Sequence, residues 1–388
     1  QIVRRHNYGH LLIKVGKLNL KQVLILSRHN VRTPLAKTLT ETTPKAWPHW
    51  TKKPGYLTDK GVLLEGFMGE FFASWFRDEQ VLPEDCPEKE MFYVYANSKQ
   101  RTKASARAFV DKAFPGCNIT INHKDDVDPV FDPVIHNNTD IFKETAYEEM
   151  HDRLRTLHLN RSYEELQNLL DYNDSVLCKT HNKCNLVVDK NQCRIEVGAK
   201  PKVEGPLKIS NSVIDAFIME NYQGFPNEEV AWGQLDQHKW RKIMKLHTGY
   251  HNVIFNTTLV AKDISEPLIK IMADIFLNDY EVPKVTLLMG HDANLYTILS
   301  GMNFKSYNLP EQYEKTPVGG KLVFQKWRDG AGVDFLKINY VYQSTYQMRN
   351  AVELSKANPP LFVLLELNEC RNDGFCPWMD FIKLLKSL

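Results

Sequence analysis

The segment SRHNVRTP, residues 27–34, contains two arginines and one histidine within five positions. Arg28, His29 and Arg32 follow QVLILS, an aliphatic run that is typical of a buried strand. Each arginine presents a planar fork of N–H donors that can bind two phosphate oxygens at once. The segment therefore predicts a site for a phosphate group at the end of a strand.

His29 is the candidate nucleophile of this site. Nearby arginine charges disfavour the imidazolium form, so they lower the pKa of the ring and leave one nitrogen free to attack phosphorus in mildly acidic solution. A lone histidine is more often structural. The interpretation therefore depends on which residues other strands bring to the same point.

Two further predicted strands also end in reactive or cationic residues. FYVYA at 92–96 precedes a helical segment that carries Arg101, and KVTLLMG at 284–290 precedes His291 and Asp292. In an open parallel sheet, ligands bind beyond the carboxyl ends of the strands, because loops and helix N-termini meet there. We therefore expect these side chains to lie close to the arginines of the first strand.

Arg101 falls in the first turn of its predicted helix, where the helix dipole disfavours a cation by about 0.3–1 kcal/mol. A bound anion would reverse this penalty, although a solitary Arg101 would be interpreted as a solvated helix residue.

Asp292 could give a proton to the departing alkoxide of a phosphate ester if it begins protonated, which fits operation at low pH. His291 could donate to a phosphoryl oxygen. The alternative interpretation of GHD, residues 290–292, is a structural turn in which the aspartate caps a helix.

The composition is that of an ordinary globular protein, with 388 residues, 43% hydrophobic and 25% charged positions, and a formal net charge of +2. This balance gives no indication of a nucleic-acid partner, and no apolar run approaches the roughly eighteen residues of a membrane helix. The sequence contains neither the spacing of a zinc site nor a nucleotide-binding P-loop, so we expect no metal and no other cofactor. The expected partner is a small phosphate ester.

The chain contains seven cysteines. Three pairs could form local bridges: Cys86 with Cys117, Cys178 with Cys184, and Cys370 with Cys376. The alternative is a set of unrelated buried thiols, but two very short loops favour disulfides and an oxidising compartment. The first residue, Gln1, is not a methionine, which fits the removal of a leader.

Strand and helix patterns alternate at both ends of the chain, which predicts a layered α/β domain. A fourth apolar run at 361–367 is interpreted as another buried strand, and residues 321–342 as a hairpin. We expect residues 1–121 and 250–388 to form this α/β core. Residues 122–249 lose the strand pattern, so we expect an inserted, mainly helical lobe.

RHNVRTP and GHDANL, residues 28–34 and 290–295, resemble the two motifs of the histidine acid phosphatases. Asn30 occupies a position that is usually glycine in that family, and this departure is similar to the bacterial glucose-1-phosphatases. The likeness extends over nearly the whole chain. It implies the histidine-phosphatase fold, which is phosphoglycerate-mutase-like: a mixed, mostly parallel sheet flanked by helices, with a smaller helical lobe and a site between the two.

The resemblance also implies a role for each motif residue. It implies a phosphohistidine intermediate on His29 and proton donation by Asp292. The phosphate would be held by four residues: Arg28, Arg32, Arg101 and His291. A periplasmic location and disulfides at the three cysteine pairs named above, with Cys193 left free, are implied as well.

Gln223, in YQGFP, stands where the glucose-1-phosphatase pattern has a glutamate near the sugar. The loss of a carboxylate could weaken one contact with a sugar hydroxyl, and the less acidic pocket would tolerate more highly phosphorylated substrates. We therefore expect an acid phosphatase for phosphate monoesters, with glucose 1-phosphate and similar sugar phosphates as substrates. A phytase or broad-specificity phosphatase is the first alternative. A phosphate-binding protein without turnover is the alternative from another class.

Overall fold

The computed structural model describes residues 17–35, 37–370 and 374–388. The strands are β1 (Asn19–Arg28), β2 (Phe92–Ala96), β3 (Gln192–Arg194), β4 (Lys202–Glu204), β5 (Val285–Gly290), β6 (Lys321–Arg328), β7 (Asp334–Tyr342), β8 (Leu361–Leu365) and β9 (Cys376–Pro377). The helices are α1 (Asp59–Asp78), α2 (Gln100–Ala113), α3 (Asp140–Thr156), α4 (Asn160–Leu170), α5 (Val176–Lys179), α6 (Pro206–Gln223), α7 (Gln237–Ile254), α8 (Thr258–Phe276), α9 (Asp292–Gly301), α10 (Thr345–Arg349) and α11 (Trp378–Ser387).

Within the described residues, one mixed sheet has the strand order β2-β5-β1-β6-β7-β8, with β9 beside β7. The two pairings that join β1, β5 and β2 are parallel, and the others are antiparallel. In the parallel register Arg28 lies opposite Gly290, so the ends of β1 and β5 lie side by side. The expected α/β fold with a mixed sheet is thus confirmed, and its parallel part holds the predicted site.

Alternate residues of β1 face two different cores, as the pleat of a strand requires. Val23 and Ile25 pack in a core with α1 and α2, whereas Leu24 and Leu26 pack with α8, α9 and α11. Helices therefore cover both faces of the sheet. This explains why the centre of β1, residues 23–26, and nearly all of β5 are apolar.

The hairpin and the single strand predicted for the other side of the sheet differ in how well they follow the sequence pattern. The predicted hairpin at 321–342 is formed by β6 and β7. β8, in contrast, is mostly half-buried, so the expectation of a buried strand at 361–367 is wrong for four of its five residues. β8 lies at the edge of the sheet, and among residues 17–35, 37–370 and 374–388 no strand pairs with its outer side.

Residues 122–249 contain α3 to α6, most of α7 and the small antiparallel pair of β3 and β4. The predicted boundary between residues 249 and 250 falls inside α7. The core of this region also includes Val31, from the loop after β1, and Ala293 and Tyr296, from α9, which follows β5. The division into two lobes stays a prediction, and the helical region packs directly on the carboxyl ends of the parallel strands.

Three disulfides join Cys86 to Cys117, Cys178 to Cys184 and Cys370 to Cys376. Cys193 is a buried free thiol. The disulfide pairing implied by the family resemblance is thus confirmed, and the alternative of unrelated thiols is wrong. In the described part of the chain, no helix has the length and apolar character needed to cross a bilayer.

Candidate active site

Arg28 is a buried guanidinium at the last position of β1. Its Nη1 donates to Glu314 Oε1 at 3.0 Å and to the backbone carbonyl of Thr316 at 2.6 Å. Its Nη2 lies 3.8 Å from Asp292 Oδ2. Burial alone would lower the pKa of Arg28, but the carboxylates of Glu314 and Asp292 outweigh burial and raise it. Arg28 is therefore a permanent cation beneath the site.

His29 has the form that a nucleophile needs. Its Nδ1 lies 2.8 Å from the backbone carbonyl of Asn30. A carbonyl can only accept a hydrogen bond, so Nδ1 carries the proton and Nε2 keeps its lone pair. Burial, followed by the charges of Arg101 and Arg28, holds the pKa of His29 well below its ordinary value. The ring is neutral, and no described residue occupies its Nε2.

The loop after β1 is fixed by a buried polar network. Asn30 Nδ2 donates to Glu65 Oε1 at 3.1 Å, and Lys321 Nζ donates to Glu65 Oε2 at 2.7 Å. The backbone N–H of Gly319 donates to the carbonyl of His29 at 2.9 Å. Gly319 has a φ of +71°, and a Cβ at this position would lie 2.5 Å from Asn30 Nδ2. Glycine is therefore required here for both backbone conformation and space.

Arg32 is held by a carboxylate that the sequence did not reveal. Its two terminal nitrogens donate to the two oxygens of Asp215 on α6, each at 3.0 Å. Burial would raise the pKa of Asp215, but the charge and hydrogen bonds of Arg32 outweigh burial and lower it. The ion pair fixes the orientation of the Arg32 guanidinium.

Arg101 is the second residue of α2, whose N-cap residue Lys99 makes no side-chain cap. In the described part of the chain no acceptor binds its guanidinium, and its Nε is buried without a partner. Burial and then the charge of Arg32 lower the pKa of Arg101 to about 10. An unpaired guanidinium in the first turn of a helix favours the binding of an anion.

His291 completes the group around His29. The centres of the two imidazole rings are 5.7 Å apart, and His291 Nε2 lies 2.8 Å from Asn97 Oδ1. Burial, followed by the charge of Arg101, holds the pKa of His291 well below its ordinary value. Because the amide oxygen of Asn97 only accepts, Nε2 carries the proton and Nδ1 is the unprotonated nitrogen. A donor role of His291 toward phosphate would therefore require a second proton or a rotated ring.

Asp292 begins α9 and retains 26% of its side-chain exposure, so a substrate can reach it. Its Oδ2 lies 3.3 Å from His251 Nε2. Burial would raise the pKa of this carboxyl, but the charges of Arg28 and His251 outweigh burial and hold it well below its ordinary value. The expectation that Asp292 begins protonated is thus wrong for the unliganded site, because the Arg28 guanidinium stabilises the carboxylate.

The structure brings six of the seven predicted site residues together: Arg28, His29, Arg32, Arg101, His291 and Asp292. Gln223 is different. It ends α6, eight residues after Asp215 and therefore about 12 Å further along the helix axis. Its Oε1 is buried and has no partner in the described part of the chain. A contact between Gln223 and a sugar stays a prediction.

Sequence reasoning missed four charged residues that contribute to the site: Asp215, Glu314, His251 and Lys200. They lie on α6, on α7 and in two loops, and none belongs to a motif or follows a predicted strand of the sheet. The unusual charge of Asp215 within the apolar helical pattern NSVIDAF was the one available signal.

Comparison with known proteins agrees with the fold. The model of the histidine phosphatase superfamily (branch 2) matches residues 19–346. A glucose-1-phosphatase of Providencia rettgeri is 44% identical over 379 residues, which cover 94% of this chain and 91% of the relative. A glucose-1-phosphatase of Salmonella typhimurium is 42% identical over 380 residues, with coverages of 95% and 92%.

A solved phytase structure from Citrobacter braakii superposes with a TM-score of 0.87 at 28% sequence identity, and covers 96% of this chain and 98% of the phytase. The family match spans far more than half of the sequence and includes the ends of all three parallel strands. The chain is therefore a phosphoric monoester hydrolase that belongs to branch 2 of the histidine phosphatase superfamily.

Proposed function

We propose that the chain hydrolyses phosphate monoesters in two steps through a phosphohistidine on His29, with glucose 1-phosphate and similar sugar phosphates as substrates. The neutral His29 ring, whose Nε2 is free in a group of guanidinium cations, carries this proposal. The names of the relatives that are 44% and 42% identical support the choice of sugar phosphates.

In the first step Nε2 attacks phosphorus. A P–N bond forms, the P–O bond to the alcohol breaks, and its electron pair leaves with the alkoxide, which takes a proton from the Asp292 side of the site. Arg28, Arg32 and Arg101 neutralise the phosphoryl oxygens while charge shifts toward the leaving oxygen.

In the second step a water molecule attacks the phosphorylated ring. The P–N bond breaks, its electron pair returns to Nε2, and the Asp292 side accepts the proton that the water loses. Inorganic phosphate and neutral His29 result, so the site is regenerated.

The three disulfides fit an exported protein, and we propose that the protein is periplasmic and that a leader has been removed.

A phytase activity is the second candidate function. Lys200 adds its positive charge near Asp292, and an additional cation suits a substrate with more than one phosphate group.

The test of the mechanism is rapid mixing with an aryl phosphate at about pH 5. The wild-type protein should release one equivalent of the phenol in a burst, and an alkaline quench should retain phosphate on the protein. His29→Ala should lose both signals. A variant that still becomes phosphorylated would overturn the role of His29, and phosphate binding without turnover in the wild type would favour the binding-protein alternative.

The test of the substrate compares kcat/KM for glucose 1-phosphate, glucose 6-phosphate and phytate. We expect the glucose esters to be preferred. A higher kcat/KM for phytate would replace the first candidate with the second and leave the two-step mechanism untouched.

A further inference from the structure

Helix α7 brings an additional histidine to Asp292. His251 is buried, and its ring stacks on Tyr296 of α9 with the ring centres 4.8 Å apart and the planes at 17°. His251 Nε2 lies 3.3 Å from Asp292 Oδ2. The ring therefore has a fixed place and faces the carboxylate edge-on.

The hydrogen bonds of His251 require a proton between these two groups. His251 Nδ1 lies 2.8 Å from the backbone carbonyl of His247, which can only accept, so Nδ1 carries a proton. In a neutral ring Nε2 would then hold a lone pair toward an ionised carboxylate, and two acceptors would face each other. One proton shared by Nε2 and Oδ2 makes the contact attractive.

We propose that His251 and Asp292 together hold the proton that the leaving alkoxide receives, so that His251 is a positioning residue for the acid. This inference rests on the two-step mechanism proposed above. It differs from a mechanism in which the carboxyl group alone stores the proton.

The charges around the His251–Asp292 pair explain why Asp292 needs a partner to hold the proton. The groups that face the pair are Arg28 of β1, His247 and Tyr250 of α7, Tyr296 of α9, and Lys200. Beyond His247, Glu314 Oε1 lies 3.7 Å from its Nε2. Arg28 and Lys200 stabilise the carboxylate, so in the unliganded site the shared proton lies on the His251 side of the pair.

Substrate binding changes this balance. A phosphate dianion neutralises the arginine charges, which makes the Asp292 carboxylate more basic. The proton on His251 Nε2 can then move to Oδ2 and from there to the alkoxide as the P–O bond breaks. His251 ends neutral and Asp292 ionised. The water that attacks phosphohistidine returns one proton to the pair.

Two variants separate the proton from the shape of the ring. His251→Phe keeps an aromatic ring for Tyr296 but cannot hold a proton, and His251→Gln keeps an N–H donor toward Asp292 but cannot titrate. For glucose 1-phosphate, whose alkoxide leaves poorly, we expect kcat to fall about tenfold or more in both variants. For an aryl phosphate, whose leaving group needs little protonation, we expect a change of less than about threefold.

The pH profile gives a readout that a structural role would not change. A proton that two groups share is held more strongly than a proton on the carboxyl alone, so the pair keeps its proton to higher pH. The alkaline limb of kcat for glucose 1-phosphate should therefore move to lower pH in both variants. Equal losses on the two esters, or an unmoved limb, would overturn the inference.

The burst of phenol distinguishes this failure from failure of the two-step mechanism. If the wild type shows no burst and no phosphoprotein, the mechanism itself fails. If the burst persists in His251→Phe and glucose 1-phosphate is cleaved at the wild-type rate and pH, only the role of His251 fails.

Discussion

The pKa values of His29 and Asp292 are both shifted downward in the unliganded site, and the arginine charges contribute to both shifts. For His29, these charges add to the effect of burial and keep the ring neutral. For Asp292, the charge of Arg28 acts against burial and keeps the carboxylate ionised. A bound phosphate dianion opposes both downward pKa shifts. His29 must therefore be neutral, and the proton for the leaving group must be present beside Asp292, before the substrate binds.

Replacing Arg101 tests directly whether the arginine charges lower the pKa of His29. Arg101→Gln removes a positive charge that lowers the pKa of His29, so the ring should protonate more easily. Protonated His29 cannot attack, and the acidic limb of kcat/KM should therefore begin at higher pH than in the wild type. The loss of a charged phosphate contact should also lower kcat/KM by about tenfold or more. Both effects are measured with an aryl phosphate between about pH 3 and pH 7.

Arg101→Lys is the matched control because it keeps the charge and loses the planar fork. Its acidic limb should stay close to that of the wild type while its phosphate affinity falls. If Arg101→Gln leaves the limb unmoved, the charge of Arg101 does not set the protonation of His29.

The residues of the two motifs were predictable because each lies within a few positions of a strand end that the apolar pattern marks. Asp215, Glu314 and His251 were not. Each reaches the site from an element distant in sequence, and the charge of a single side chain on a helix has no pattern that reports what it will face.

At the scale of elements, the parallel pairing of β1 with β5 creates the site. It places Arg28 opposite Gly290, and His291 and Asp292 follow directly. Apolar runs predicted both strands, but the register depends on pairing between segments about 260 residues apart, which local sequence does not encode. The same limit explains why β8 was expected to be buried: an edge strand and a central strand can share one apolar pattern.

The joint between α1 and β6 gives a prediction at this scale. Lys321 and Glu65 are fully buried, and Lys321 Nζ also donates to Ser27 Oγ at 2.7 Å. Lys321→Met should lower the free energy of unfolding by about 3–5 kcal/mol, since it leaves the Glu65 carboxyl in the core without its cation. Urea denaturation followed by circular dichroism measures this change.

The double variant Glu65→Gln with Lys321→Met removes both charges and is the control. It should be more stable than Lys321→Met alone, because no unpaired charge remains buried. If the single and double variants are equally stable, the pair contributes nothing through its charge.

At the scale of the whole molecule, the helical region and the catalytic end share one hydrophobic core, which includes Val31 and Ala293. The sequence predicted the insertion from its loss of strand pattern. It did not reveal that α7 would extend past the expected boundary and carry His251 into the site. A boundary drawn from composition cannot detect a helix that serves both regions.

The disulfides should stabilise the molecule unequally. Cys86 and Cys117 close a loop of 31 residues, whereas Cys178 and Cys184 close one of 6. From loop entropy alone, we expect the variant with both Cys86 and Cys117 replaced by serine to lose about 3.7 kcal/mol. The corresponding change at Cys178 and Cys184 should cost about 2.2 kcal/mol. Denaturant unfolding of the two variants measures the difference, and a larger loss for the shorter loop would contradict the expectation.

The contact between Asn30 and Gly319 also constrains how this protein can evolve. A larger residue at 319 would collide with the Asn30 amide, and a glycine at 30 would leave Glu65 without one of its donors. Neither position can drift independently. Descendants that alter the loop after β1 should show linked replacements at 30 and 65, whereas 319 should stay glycine, because its φ of +71° favours glycine whatever residue stands at 30.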